Sequence, residues 1–157
     1  MKLSFVIFHF YLVFLMGCKS DSTAHTSVAA TTKLVTMEES YRVIYKSQMS
    51  SKKVKEYQII TSNEALSNLV SEMNIDPKDY QVFLNIDFRK YNLLAYYLGE
   101  KPSGGYDIVL QEVKENKDQI LFSFKEIEPK LGEMTTSVIS APCMFIKVLK
   151  AKKIVIE

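Results

Sequence analysis

The chain has 157 residues, a formal net charge of +2, 47% hydrophobic and 24% charged residues, and two cysteines. That is about one domain's length with an ordinary globular composition. The near-balanced charge does not make a polyanion-binding surface the default reading, so no nucleic-acid partner is expected.

Residues 1–18, MKLSFVIFHFYLVFLMGC, begin with Lys2 and run apolar from Leu3 to Met16, broken only by Ser4 and His9. This is the pattern of a secretory signal, too short and too soon followed by polar sequence for a transmembrane helix. Its last four residues, Leu15-Met16-Gly17-Cys18, resemble the bacterial lipobox. That resemblance implies cleavage after residue 17 and acylation of Cys18 on its sulfur and its new amino group; an ordinary signal with a chance cysteine is the plainer alternative. Each buried methylene contributes about 0.8 kcal/mol and one acyl chain binds a membrane only marginally, so several chains on Cys18 would anchor the protein without a spanning helix. Lys19 follows where an aspartate does not, which by resemblance to lipoprotein sorting signals leans towards an outer membrane. The expected location is thus the bacterial cell envelope, lipid-anchored, at the outer membrane.

Loss of residues 1–17 changes the chemical inventory. His9 goes with them, His25 is left in a polar stretch, and Cys143 has no intramolecular disulfide partner once Cys18 carries lipid. Ser-His-Asp or Cys-His chemistry needs a histidine beside the nucleophile, and a zinc site needs more His and Cys ligands than remain. No catalytic residue, metal, cofactor or small-molecule substrate is therefore expected, and the chain is read as a non-enzyme. Residues 18–36, rich in Ser, Thr and Ala, bury too little to offset their ordering entropy and read as a flexible tether from Cys18. Extended at about 3.3 Å per residue, it would reach roughly 50–60 Å. Residues 37–157 are enough for a single core.

In that domain Tyr41, Val43 and Tyr45 alternate with Arg42, Ile44 and Lys46, predicting a first strand, and a second ends at Tyr57-Gln58-Ile59-Ile60. A helix follows, with Thr61 as cap, Glu64 completing a capping box, and a stripe of Leu66, Leu69, Val70 and Met73 at core-packing spacing. Asp76-Pro77 ends it, since the residue before proline is pushed out of the α region. Leu93 to Leu98 is a continuous apolar run, as in a strand covered on both faces. Tyr106–Val113 and Gln119–Ile127 flank the polar turn 115–118 as a hairpin; Met144, Ile146 and Val148 mark a further strand, and Lys153–Glu157 closes the chain. The fold class is α+β, mainly β: antiparallel strands with one helix packed on the sheet, in an arrangement compatible with a sandwich.

Two loops stand out. Gly99 to Tyr106 contains Pro102-Ser103-Gly104-Gly105-Tyr106 between two strands. Both glycines permit positive φ and Pro102 fixes the approach, so the plain reading is a strand connection and the functional one a rigid loop presenting Tyr106 to a protein partner. No helix follows to aim its N-terminus at a phosphate, and no Gly-Lys-Ser/Thr ending is present. The second loop, Met134 to Cys143, ends in Ala141-Pro142-Cys143. Cys143 has no cation or histidine beside it in sequence to activate it, and a lone cysteine next to Met144 and Phe145 reads as a small buried hydrophobe. No pair of carboxylates is nominated for acid–base work, and the lysines of 147–153 read as a solvated strand edge.

Three segments together resemble the C-terminal domain of the PrcB family: Ile86-Asp87-Phe88, then Asn92 to Gly99, then Lys101-Pro102-Ser103-Gly104-Gly105-Tyr106-Asp107-Ile108. Glu128-Pro129-Lys130-Leu131-Gly132, Ala141-Pro142 and Ile146-Lys147-Val148 continue the likeness, which covers about residues 57 to 157. The family often has an aromatic residue after the second-loop proline; here Cys143 stands there. The family is named for a lipoprotein subunit of a bacterial surface protease complex, so the resemblance implies a non-enzymatic accessory or stabilising partner of an envelope or surface protease. A looser likeness links Pro102-Ser103-Gly104-Gly105-Tyr106 and Ala141-Pro142 to the two loops of chagasin-type inhibitors of papain-like proteases, although the tryptophan of their second loop is missing here. The expectation is a lipid-anchored binding module acting through both loops; the alternatives are a protease inhibitor or a structural lipoprotein without a specific partner.

Overall fold

The two segments with no polar face, Leu93-Leu94-Ala95-Tyr96-Tyr97-Leu98 and Cys143-Met144-Phe145-Ile146-Lys147-Val148, demand cover on both sides, and the fold is arranged to give it. The structure, a computed structural model, describes residues 39–73 and 75–157. The signal segment, Cys18 and the tether lie outside the described residues. In chain order the elements are β1 (Tyr41–Ser47), β2 (Glu56–Ile60), α1 (Asn63–Met73), α2 (Pro77–Leu84), β3 (Tyr91–Tyr97), β4 (Asp107–Glu115), β5 (Gln119–Ile127), β6 (Cys143–Leu149) and β7 (Lys153–Ile156).

β3 and β6 pair antiparallel at the centre of a four-stranded sheet of order β1-β6-β3-β2, with Leu94 opposite Ile146 and Tyr97 opposite Cys143. A second sheet, β4-β5-β7, covers one face of the first. Alternate residues of the central strands therefore serve two cores. Leu93, Ala95, Tyr97, Cys143 and Phe145 pack with Leu66, Leu69 and Phe83 of the helices. Leu94, Tyr96, Met144, Ile146 and Val148 pack with Ile108, Ile120 and Phe122 of the second sheet. Rings reinforce both interfaces: Phe145 lies edge-on to Phe83 at 5.5 Å and to Tyr97 at 5.9 Å, and Tyr96 stacks on Phe124 at 4.0 Å. Helices, sheet and sheet make three layers, mainly β and sandwich-like, as the alternation and the apolar runs predict.

Four details differ from the sequence reading. The cap of α1 is Ser62, whose Oγ accepts from the Ala65 N–H at 3.2 Å, one residue later than expected and without the Glu64 box. There are two helices, not one. Asp76-Pro77 does stop α1, but it also starts α2, since Asp76 Oδ1 accepts from the Lys78 N–H at 2.8 Å and Pro77 occupies the first turn, where no N–H is needed. The last strand pairs parallel, not antiparallel, because the short Lys150–Lys152 turn carries the chain from the middle of one sheet to the edge of the other, beside β5. The terminal lysines are not a freely solvated edge: Lys150 Nζ donates to the Phe88 carbonyl at 3.2 Å, and Lys152 Nζ pairs with Glu115 at 3.1 Å.

Truncation of Phe145, which touches three rings, is expected to cost about 3–5 kcal/mol in urea unfolding. Asp76→Ala is expected to cost about 1 kcal/mol through loss of the α2 cap.

Candidate functional site

The strand registers bring three connections to one end of the sandwich. Ser47 and Tyr97 both lie opposite Cys143, Glu56 lies opposite Tyr97, and Asp107 lies opposite Ile127. The segments 48–55, 98–106 and 128–142 therefore emerge side by side, and both loops singled out in the sequence are among them.

Those two loops are bonded to each other. The Lys101 N–H donates to the Ser140 carbonyl at 2.7 Å and the Ser140 N–H returns to Lys101 at 3.1 Å. The Gly104 N–H donates to the Thr136 carbonyl at 3.0 Å, and Ser140 Oγ donates to the Ser103 carbonyl at 2.7 Å. Gly105 has φ +87°, and a Cβ there would meet Pro129 Cγ at 3.0 Å and Thr135 Cγ2 at 3.1 Å. Gly104 does not use the positive φ open to it; its missing Cβ makes room for the Thr136 hydroxyl instead. The third segment joins the assembly through the Ala141 N–H to the Gln48 carbonyl at 2.8 Å and the Glu100 N–H to the Lys53 carbonyl at 3.1 Å.

The residues named in advance hold this platform together more than they project from it. Pro102 is exposed, and Ser103 is half-buried. Tyr106 is half-buried against the second core, with Lys101 Nζ 5.5 Å from its ring centroid, so its ring is not offered outward. Ala141, Pro142 and Cys143 are buried; the Pro142 carbonyl accepts from the Leu98 N–H at 2.9 Å. Burial pushes the Cys143 thiol up to about 12, and its sulfur lies 3.8 Å from the Met49 carbonyl. It is a protonated thiol at neutral pH. Tyr97 beside it is likewise raised by burial. Among the described residues, no three His, Cys, Asp or Glu side chains are grouped to hold a metal ion.

What projects is the earlier part of the second loop, Met134 to Ile139, with the residues just before it, and not Ala141-Pro142-Cys143. Every residue from Leu131 to Ile139 is exposed, Leu131 and Met134 fully and Val138 and Ile139 by more than half. Met49 and Val54 of the neighbouring segment add two more exposed apolar side chains. The signal was present: single apolar residues set among Gly132, Thr135, Thr136 and Ser137 have neither strand nor helix period, so no core face receives them. A turn fixes the tip, the Glu133 N–H donating to the Lys130 carbonyl at 2.9 Å and the Lys130 N–H to Glu133 Oε2 at 2.8 Å. Ion pairs tie the two sheets near this end: Lys46–Asp107 at 2.6 Å and Lys55–Glu126 at 2.6 Å, the latter raising the Lys55 ammonium above its usual range.

Residues 93–148 match the family model described as PrcB C-terminal. The match runs from β3 to β6 and so contains both loops. No curated protein and no solved structure matches the chain.

Gly105→Ala is expected to lower stability by more than about 1 kcal/mol, because it combines positive φ with two close contacts. A second expectation concerns alkaline pH. Below pH 9 the Cys143 thiol is protonated whether the chain is folded or not; above it the unfolded thiol ionises while the folded one holds its proton to about 12. Unfolding then releases a proton, so stability falls from pH 9 towards 12, and urea unfolding of Cys143→Ala across that window should show a shallower fall.

Proposed function

We propose, from a chain whose residues 93–148 match the PrcB C-terminal family model, that this protein is a non-enzymatic lipoprotein that binds another envelope protein, as an accessory or stabilising subunit of a surface protease. The observation that carries the proposal is the pinned loop 128–142, which holds Leu131, Met134, Val138 and Ile139 in water on a fixed backbone. Apolar side chains held out in water gain by burial against a partner, and a loop already ordered loses little entropy on docking.

The inhibitor reading draws support from the adjacency of the two loops, but Tyr106 and Ala141-Pro142 face inward, which favours a binding module working through the Leu131–Ile139 stretch.

The test is capture from detergent-solubilised envelopes with the full lipidated chain as bait and identification by mass spectrometry. A protease at near-stoichiometric ratio is expected with the native chain and is lost with Leu131→Glu plus Met134→Glu, whose thermal midpoint should stay unchanged because both side chains are fully exposed. Tyr106→Ala is expected to lower the midpoint instead. Retention of the protease by the double variant contradicts the loop assignment. Cys18→Ala is expected to abolish incorporation of labelled palmitate, and continued labelling contradicts the anchor.

A further inference from the structure

The sandwich has two open flanks, built differently. On one, β1 and β4 each carry a register break, between Val43 and Tyr45 and between Leu110 and Glu112. They are cross-linked by Lys46–Asp107 and by Ser40 Oγ donating to Glu115 at 2.8 Å. Bulges and charges are how natural sheets blunt an edge. On the other flank, β2 and β7 have no register break. Glu56 and Lys153 start these strands and Lys55 pairs with Glu126 across the sheets at 2.6 Å, but Tyr57-Gln58-Ile59-Ile60 and Ile154-Val155-Ile156 after them carry no charge.

That second flank is also incomplete. β7 pairs only with Gln119–Phe122, the first half of β5, and its last bond is the Glu157 N–H to the Phe122 carbonyl at 3.0 Å. Phe122 thus turns its backbone groups towards β7, and by the period of two Phe124 and Glu126 turn theirs the same way. Among the described residues neither has a backbone partner on that side. Opposite them, Tyr57 and Ile59 lie across from Tyr96 and Leu94 and share their face, yet remain 54% and 39% exposed, because no strand of the second sheet reaches them. Between the sheets lies a depression of about 280 Å³ lined by Lys55, Glu56, Tyr57, Tyr96, Ile156 and Glu157.

We propose that this is a strand-addition slot that takes one extended peptide segment of another protein. The segment pairs its backbone with Phe124 and Glu126 and lays an apolar side chain over Tyr57 and Tyr96. The unpaired N–H and C=O groups require an extended backbone as ligand, and the two rings require an apolar residue at one position along it. A second copy of this chain does not fit. Strands of four and five residues offer far less than the roughly 800 Å² per partner of a stable interface. This slot lies on the flank of the sandwich, apart from the exposed tip of loop 128–142.

The test is selection of a random octapeptide display library on the full chain in detergent, followed by amide exchange with the tightest peptide. Exchange at Phe124 and Glu126 is expected to slow by about tenfold or more. Binding should weaken by about tenfold in Tyr57→Asp and vanish when alternate peptide nitrogens are methylated, since that removes the ladder donors. Leu131→Glu should bind the peptide unchanged, so loss of the loop reading leaves this one standing. An unenriched library, protection confined to other amides, or equal binding of the methylated peptide overturns the proposal.

Discussion

The pairing of β3 with β6 is the constraint from which the rest of the structure follows. Both strands are apolar on both faces, so neither can border water, and the register that sets Leu94 against Ile146 commits every neighbouring side chain to one of two cores. A one-residue slip would exchange the two sets and put Tyr97 and Phe145 under the wrong layer. The helices and the second sheet are the two covers this pair requires. Because β3 leaves the sheet where β6 enters it, their connections meet at one end, and the loop platform is a by-product of that antiparallel register.

The platform separates holding from presenting. Glycines, Ser140 and the buried Ala141-Pro142-Cys143 run fix two loops to each other and to the sheet. Leu131, Met134, Val138 and Ile139 make no such contribution to the cores, and nothing in the fold requires them to be apolar. Loops carry binding residues on rigid scaffolds for this reason: the scaffold absorbs the ordering cost before the partner arrives. A buried thiol held far above neutral pH at the base of the platform fits a structural role for Cys143.

The strands were legible because their signals are local. Alternation marked β1 and β5, and an unbroken apolar run marked β3. The second helix was not, because Asp76-Pro77 means a stop when read from the residues before it and a start when read from those after it; only packing of Phe83 against Phe145 and Tyr45 decides that both hold. The parallel pairing of β7 was invisible, since five residues carry no information about which sheet they join. The loop site was half legible. Gly104, Gly105 and Pro142 drew attention to the right backbone, but residues conspicuous for geometry were assigned the contacts, while the exposed apolar residues between Pro129 and Ser140 had no periodicity to announce them.

The central claim is that the loop end meets a partner protein in the envelope. The most direct measurement is site-specific photo-crosslinking in living cells, with a benzophenone amino acid placed at position 131 or, as reference, at position 117 in the turn at the opposite end of the sandwich. The account predicts a discrete adduct with a protease from position 131 and none from position 117. An adduct from 117 alone, or none from either position with the protein correctly anchored and folded, would contradict it.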